Sequence, residues 1–184
     1  MTVQNVDRVL ENVEDLVDAS KQKSVNGVDV TVNKLFQFTS QLVIDFDNSR
    51  RKNPDVEEIP FTFVDENDEF NSCWDLAAGS YMAGYGQKIT IPMDCVGVIL
   101  PRSTLMAGGV YLASALWDSG YSGYGRGLFL VTNPHGIRMY NKARIGQIIF
   151  LKTAKVAAVG YNGKYQNENK LWRKRPHQPA YFSP

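Results

Sequence analysis

The chain has 184 residues, with 20 Lys and Arg residues against 19 Asp and Glu residues, two cysteines and 43% hydrophobic residues. This length suits one domain with a substantial core, and the composition argues against a disordered, collagen-like or disulfide-stabilised protein. The two cysteines do not have the spacing of metal ligands. No apolar stretch reaches the roughly 18 residues that a membrane helix needs, and the N-terminus lacks the basic and apolar segments of a signal peptide. We therefore expect a cytoplasmic protein without a membrane partner.

The N-terminal region changes its periodicity after one helix. Residues 5–22 place six apolar residues at helical spacing, with charged residues between them, which predicts a single amphipathic helix packed on the outside of a sheet. From residue 28 to 38 the pattern is that of a β-strand, because Val28, Val30 and Val32 alternate with polar residues. Residues 45–72 are acidic and rich in Asn, with two prolines, so we expect mostly loop with a short strand at 60–64.

Short apolar runs separated by Gly, Pro and Asn follow from residue 79 onward. Such spacing is typical of an antiparallel sandwich or barrel, and no second helix is predicted. The expected strands are 88–91, 95–101, 110–117, 127–132 and 145–151, with a weaker run at 156–161. The sequence therefore predicts a mainly β protein.

The last fifteen residues differ from the rest of the chain. They contain three prolines, the basic triplet Arg173-Lys174-Arg175 and three aromatic residues. This composition predicts an arm rather than a part of the core. We expect a single domain at residues 1–169 and a C-terminal arm at residues 170–184.

Charge is distributed unevenly along the chain. Residues 1–94 contain 17 acidic and 8 basic residues, whereas residues 95–184 contain 2 acidic and 12 basic residues. Such an excess of basic residues over a domain-sized stretch predicts an anionic ligand. An alternative is that the two halves simply attract each other. A nucleic acid is not expected, because the basic residues are scattered and only residues 173–175 form a cluster.

Asp118 is the only acidic residue between Asp94 and Glu168, and it follows the apolar stretch 112–117. Asp is common in turns, so a purely structural role is one alternative. Against it, the segment 101–104 supplies a guanidinium and two hydroxyl groups, a set suited to phosphate oxygens. Further positive charge is expected from Arg138, Lys142 and Arg144. A carboxylate that stays ionised beside such cations can orient a water molecule.

Other familiar catalytic arrangements are absent from the sequence. The two histidines, His135 and His177, are too few and too far apart for a Ser-His-Asp triad or a zinc site. The chain also lacks a Walker-type phosphate loop and a dinucleotide-binding glycine motif.

Seven short motifs occur in the order in which one enzyme family has them. They are Asn26–Val32, Ile44–Asn48, Pro101–Leu105, Trp117–Tyr121, Asn133–Gly136, Ala143–Phe150 and Gly160–Gln166. With these motifs the chain resembles the archaeal-type dUTP diphosphatases of the dCTP deaminase/dUTPase superfamily over residues 24–169. The resemblance implies a distorted jelly-roll β-barrel with one N-terminal amphipathic helix. It also implies a homotrimer with active sites between subunits, so that Arg102 of one chain approaches Asp118 of another.

The resemblance assigns roles to individual residues. Asp118 would orient the water that attacks the α-phosphate of dUTP, and Tyr121 would pack on the deoxyribose and exclude a 2′-hydroxyl. The hairpin 110–116, which begins at Val110, would recognise the base through its backbone groups. The expected phosphate ligands are Arg102, Ser103 and Thr104. The other expected substrate-binding residues are Gln147, Tyr161, Lys164, Tyr165 and Gln166.

The resemblance also implies Mg²⁺ as the cofactor and dUMP and diphosphate as the products. The ion would be held mainly by the triphosphate, as is usual when a cation bridges substrate oxygens and has few protein ligands. Asp29 would either reach the ion through water or have a structural role.

Several departures from the family pattern bear on two other functions, a dCTP deaminase, which they argue against, and a homologue with weak turnover. The dCTP deaminases have an essential Glu in the strand after the motif Asp, whereas residues 119–167 contain no acidic residue, so a deamination would lack its general acid and base. Relatives usually have acidic residues where this chain has Ser122 and Arg126, and a second Arg where it has Ala107. These differences favour, as the main alternative, a catalytically weak nucleotide-binding or regulatory homologue.

Overall fold

Strands dominate the computed structural model, which describes residues 2–169; the arm predicted at 170–184 lies outside these residues. The strands are β1 (Thr2–Val3), β2 (Val13–Glu14), β3 (Val28–Phe38), β4 (Val56–Glu58), β5 (Cys73–Leu76), β6 (Gly79–Tyr85), β7 (Lys88–Thr90), β8 (Cys95–Pro101), β9 (Val110–Ala113), β10 (Ser122–Gly123), β11 (Arg126–Val131), β12 (Ile137–Tyr140) and β13 (Arg144–Lys152). The helices are α1 (Val6–Leu10), α2 (Ala19–Gln22) and α3 (Ser103–Ala107), with a 3-10 turn at Glu69–Asn71. None of the helices described is long and apolar enough to cross a membrane.

A curled sheet of eight strands forms the main part of the fold. Its path runs β1-β13-β3-β6-β11-β9, while β8 pairs with β13 and β4 pairs with β3. Two smaller sheets have the orders β10-β7-β2 and β12-β5. All of these strand pairs are antiparallel. The prediction of a mainly β, distorted jelly-roll barrel is confirmed.

Most predicted strands are present. β3 and β8 have the predicted bounds, and the runs at 127–132 and 145–151 correspond to β11 and β13 within a residue. The strand expected at 60–64 is reduced to a single bridge between Phe63 and Cys73. The weak run at 156–161 forms no strand, and Val156 and Val159 in it are 66% and 81% exposed.

The predicted N-terminal helix is present but ends early. α1 begins after Asn5, whose side chain accepts a hydrogen bond from a backbone amide of the first turn, and it contains five residues. Val13 fits the helical spacing, but it pairs with Ile89 in the small sheet instead. The backbone then turns at Asp15, which has a φ of 60°. A residue in this left-handed region interrupts a helix, so residues 5–22 form two short helices around a strand.

Ion pairs connect the acidic first half of the sequence to the basic second half. The pairs are Asp29 with Arg102 and Arg144, Asp75 with Arg138, and Glu69 with Lys142. Mutual attraction of the two halves, the alternative left open by the sequence, therefore accounts for part of the charge asymmetry. Arg138 and Lys142, which were expected to add positive charge near Asp118, pair with acidic residues at β5 and the 3-10 turn instead.

A buried glutamine attaches β3 to the N-terminal segment. Gln87 is fully buried; its Oε1 accepts a hydrogen bond from the amide of Thr31 at 2.7 Å, and its Nε2 donates to the carbonyl of Asp15 at 3.2 Å. We expect Gln87→Ala to lower the free energy of unfolding by about 1–3 kcal/mol, because the buried backbone amide of Thr31 loses its hydrogen-bond acceptor. Urea unfolding measures the loss. Gln37→Ala is the matched control, since Gln37 is exposed on β3, and equal unfolding midpoints would contradict the prediction.

Candidate active site

Asp118 lies in a tight turn after a residue that pairs with β8. Trp117 forms an antiparallel bridge with Gly97, and the amide of Tyr121 donates a hydrogen bond to the carbonyl of Asp118 at 3.1 Å. Gly120 has a φ of 79°, as the third residue of a type II turn requires. The Asp118 side chain is exposed, and no residue within the described range donates a hydrogen bond to its carboxylate. The local sequence therefore presents a free carboxylate at the surface.

The Asp118 turn borders a cavity of about 550 Å³. Four residues that the sequence assigned to the site line it together: Asp118, Tyr121, Tyr161 and Tyr165. Ala115 and Leu116, from the hairpin expected to recognise the base, also line it, whereas Val110 is buried in the core and does not. Much of the remaining wall is apolar, with Phe38, Leu42, Val56 and Met82. A largely apolar cavity with a few polar groups suits a small organic ligand.

Three aromatic rings form one wall of this cavity. The Tyr121 ring packs edge-on against Trp117, with centroids 4.9 Å apart, and against Tyr161, with centroids 5.6 Å apart. Tyr121 is only 6% exposed, and burial raises the pKa of its hydroxyl to about 12. The phenol is therefore neutral at physiological pH. Such a wall suits an uncharged part of a ligand, such as a sugar or a base.

The side chain of Gln166 holds the Asp118 turn from its C-terminal side. Its Oε1 accepts a hydrogen bond from the amide of Ser122, and its Nε2 donates to the carbonyl of Gly120, both at 2.9 Å. These two bonds lie on either side of Tyr121 along the chain. Both groups of the side-chain amide are thus engaged by the turn, and Gln166 does not line the cavity. Lys164, also expected in the site, is exposed and does not line the cavity.

Sequence reasoning missed an ion pair in the cavity wall. Arg126 and Glu168 both line the cavity and pair with each other, and the Glu168 side chain is only 12% exposed. The Arg126 guanidinium also lies 5.8 Å from the centroid of the Tyr165 ring, and burial lowers its pKa. Glu168 reaches this position through a parallel bridge with Gly123. Its isolation, as the only acidic residue after Asp118, was the one sequence signal that could have drawn attention to it.

A second group of expected site residues lies on three neighbouring strands of the main sheet. Arg102 follows β8, Gln147 lies on β13 and Asp29 lies on β3. The Arg102 Nε atom is 3.3 Å from Asp29 Oδ2, and Gln147 Nε2 donates a hydrogen bond to Asp29 Oδ1 at 3.3 Å. Ser103 and Thr104 are exposed next to Arg102, at the start of α3. This combination of guanidinium and hydroxyl groups suits phosphate oxygens.

The two groups do not meet within one chain. Because Gly97 pairs with Trp117 in an antiparallel bridge, Asp118 lies opposite Val96, six residues before Arg102. Six strand residues span about 20 Å at roughly 3.3 Å per residue. The cavity wall beside Asp118 accordingly contains none of Arg102, Ser103, Thr104 and Gln147.

The structure offers no resident metal site within residues 2–169, where no three His, Cys, Asp or Glu side chains lie close enough together to hold an ion. Asp29 is the residue expected to reach Mg²⁺ through water. Its carboxylate already forms ion pairs with Arg102 and Arg144 and accepts a hydrogen bond from Gln147. This donor set does not fit a protein-bound ion. It is compatible with an ion that arrives on the phosphates of a ligand, because such an ion needs few protein ligands.

Gly125 permits the close packing of Trp117 beside Asp118. It has a φ of 58°, and a Cβ atom there would lie 1.9 Å from Cη2 of the indole. We expect Gly125→Ala to lower the free energy of unfolding by about 2–4 kcal/mol, because the backbone would be strained and the indole displaced. Thermal unfolding measures this effect. In the control variant Gly108→Ala the new Cβ would meet no atom closer than 3.4 Å; a similar melting temperature for both variants would refute the expectation.

Sequence comparisons identify relatives of this chain. The model of the dCTP deaminase-like family matches residues 3–153. A probable deoxyuridine 5′-triphosphate nucleotidohydrolase from Methanosarcina acetivorans is 34% identical over 167 residues, which cover 91% of this chain and 92% of that protein. Proteins of the same name from Archaeoglobus fulgidus and Halobacterium salinarum are 33% and 36% identical, over 85% and 87% of this chain and 88% and 91% of their own lengths.

The fold resembles that of a solved deaminase. The crystal structure of 2′-deoxycytidine 5′-triphosphate deaminase from Agrobacterium tumefaciens has a TM-score of 0.56 and 12% identity, and the match covers 80% of this chain. The chain spans about half the length of that deaminase, with 48% of it covered. At this identity the likeness concerns the fold alone. The family match and the archaeal relatives confirm what the motifs predicted: the chain belongs to the dCTP deaminase-like family.

Proposed function

We propose that the chain is a dUTP diphosphatase, which hydrolyses dUTP to dUMP and diphosphate. The observation that carries the proposal is the exposed Asp118 carboxylate, which has no hydrogen-bond donor among residues 2–169 and stands at the edge of an aromatic-walled cavity. Support comes from the archaeal relatives, which are named as deoxyuridine 5′-triphosphate nucleotidohydrolases and match nearly the whole described chain.

In the proposed reaction, Asp118 orients a water molecule and accepts its proton as the water oxygen attacks the α-phosphorus. The new bond joins that oxygen to the α-phosphorus, and the bond from the α-phosphorus to the oxygen that bridges to the β-phosphorus breaks. Diphosphate leaves in line with the attacking oxygen and carries the electron pair of the broken bond. Asp118 is suited to this role because its carboxylate oxygens are not occupied by a partner within the described chain.

The nucleoside would occupy the cavity. Tyr121 is fixed between Trp117 and Tyr161, so its ring is a rigid surface for the deoxyribose and would collide with a 2′-hydroxyl. The uracil would lie against the backbone of the hairpin that ends at Ala115 and Leu116. A site of this kind selects its base because the wrong base leaves buried donors and acceptors unpaired.

The triphosphate would need a second subunit. Arg102, Ser103 and Thr104 lie about 20 Å along β8 from the position opposite Asp118, by strand spacing, so they would serve the Asp118 of a neighbouring chain in a homotrimer. Exposed apolar side chains on β8, α3, β9 and β11 suit a subunit contact: Leu100, Met106, Tyr111 and Leu128.

The substrate would be the Mg²⁺ complex of dUTP, with the ion on the phosphate oxygens. When bound, this ion would neutralise charge that develops on the phosphates.

A second candidate function is that of a nucleotide-binding homologue with weak turnover. The Arg126–Glu168 ion pair favours it, because this pair and Asp118 give the cavity wall two carboxylates and one guanidinium. An excess of negative charge there would keep the phosphates away from Asp118 and lower turnover, while the aromatic wall would still hold the nucleoside. The proposed diphosphatase avoids this conflict if the phosphates extend away from the cavity towards the neighbouring Arg102.

One assay separates the candidates. Release of diphosphate and of ammonia should be measured with dUTP and with dCTP, and with UTP to test the sugar. A dUTP diphosphatase releases diphosphate from dUTP, little from UTP, and no ammonia from dCTP. Nucleotide binding without diphosphate release would indicate the second candidate, and ammonia release from dCTP would indicate a deaminase.

A further inference from the structure

Arg144 is a second cation beside Arg102, and the proposed function leaves it without a role. It begins β13, while Arg102 follows β8, and these two strands pair. The amide of Arg102 therefore donates a hydrogen bond to the carbonyl of Ile145 at 3.2 Å, and its guanidinium donates to the carbonyl of Arg144 at 3.4 Å. The two arginine side chains are 33% and 37% exposed, so both are accessible to a ligand.

One buried carboxylate holds both guanidinium groups. Asp29 Oδ2 lies 3.3 Å from Arg102 Nε and 3.2 Å from Arg144 Nη1, and the Asp29 side chain is only 7% exposed. Arg144 Nη1 also donates a hydrogen bond to the carbonyl of Lys21. Gln147 Nε2 binds the other carboxylate oxygen at 3.3 Å. The Asp29 carboxylate is thus fixed on both sides, and it fixes the two arginines in turn.

The cluster keeps the charge and the donors that an anion needs. Two guanidinium groups and one carboxylate leave a net positive charge. Each guanidinium has several N–H groups in a rigid planar fork, and the contacts with Asp29 and the carbonyl groups engage only some of them. Groups that are already held in place lose little conformational freedom when a ligand binds.

We propose that Arg144 is a second phosphate-binding residue, and that Asp29 is the positioning residue that holds Arg102 and Arg144 side by side for adjacent phosphate groups of a polyphosphate chain. The proposal rests on the proposed function for the identity of the nucleotide. The chemistry that the cluster recognises is the polyphosphate itself.

This role for Asp29 differs in its consequences from that of a metal ligand. Removal of the Asp29 charge makes the surface more positive, which by electrostatics alone would strengthen the binding of an anion. If Asp29 positions the arginines, the same change weakens binding, because the guanidinium groups lose their fixed orientation. The effect then appears in the absence of a divalent cation.

The test uses calorimetry of the full chain with inorganic tripolyphosphate, in EDTA and then with Mg²⁺. We expect Arg144→Ala to weaken binding in EDTA by about tenfold or more, because a charge-assisted contact is lost. Asp29→Asn should weaken it by roughly fivefold with EDTA present. Arg138→Ala is the matched control, since Arg138 is held by Asp75 at 2.7 and 2.8 Å in a comparable pair on the small β12-β5 sheet. It should change the affinity by less than about twofold.

Several results would overturn the proposal. Equal losses for Arg144→Ala and Arg138→Ala would mean that only net charge matters. Tighter binding by Asp29→Asn in EDTA, or a loss seen only with Mg²⁺, would remove its positioning role. If Arg144→Ala does not fold, the variant Arg144→Lys is used instead. Its ammonium group cannot contact Asp29 and a phosphate at the same time as the planar guanidinium does, so we expect weaker tripolyphosphate binding. An unchanged affinity for tripolyphosphate would refute the role of Arg144. The two proposals can fail separately. If the variants bind tripolyphosphate as expected but the wild-type chain does not hydrolyse dUTP, the proposed function is refuted and the role of Arg144 and Asp29 is not.

Discussion

Asp118→Asn is expected to reduce dUTP hydrolysis by a factor of roughly 10²–10⁴, the usual contribution of a general base. The amide keeps the shape of the carboxylate but cannot accept the proton of the attacking water. Folding should be unaffected, because the Asp118 side chain is exposed and is not held by a hydrogen bond within residues 2–169. Steady-state diphosphate release gives the rate, and calorimetry with a non-hydrolysable α,β-imido analogue of dUTP gives the affinity, which should change little.

A matched control is available in Asp68→Asn. Asp68 caps the 3-10 turn with its side chain, and Asn caps such a turn about as well, so this variant loses one exposed carboxylate away from the cavity. We expect it to keep the wild-type rate. A near wild-type rate for Asp118→Asn would make Asp118 a turn residue and end the proposed mechanism. Loss of both turnover and affinity would instead point to a structural role.

Mixing two inactive variants is expected to restore activity if each site combines two chains. Arg102→Ala and Asp118→Asn should each have little activity alone. In trimers assembled at random from equal amounts of both, about one quarter of the interfaces pair an intact Arg102 with an intact Asp118. Co-expression of the two variants, or refolding them together, should therefore recover roughly a quarter of the wild-type rate.

The outcome separates two arrangements of the site. If Arg102 and Asp118 of the same chain acted together, no mixture would contain an intact site and the rate would stay at the level of the single variants. The control is each variant refolded alone under the same conditions. Size-exclusion chromatography with light scattering on the same samples measures the oligomeric state, and a monomer would exclude an interfacial site.

The sequence alone determined the parts of the site that local chain geometry builds. The segment Trp117–Tyr121 was predicted to carry a carboxylate and an aromatic side chain, and both line the cavity. The reason is that these five residues form one tight turn, with Gly120 in the left-handed conformation that a type II turn requires. Their side chains are therefore close together whatever the rest of the fold does. The bounds of β3 and β8 were also correct, because runs of β-branched and apolar residues bounded by turn residues are a local signal.

Tertiary structure alone decided which distant residues share a surface. Arg126 and Glu168 form an ion pair in the cavity wall although 41 residues separate them along the chain, because Gly123 and Glu168 form a parallel bridge that no local pattern encodes. Val13 likewise fits a helical pattern in the sequence but lies in a strand, because it pairs with Ile89, which is remote in sequence. Strand pairing between β8, β13 and β3 also placed Arg102 and Arg144 on Asp29, away from Asp118. Periodicity records which face of an element is buried, whereas the partner across that face depends on the register of strands that are remote in sequence.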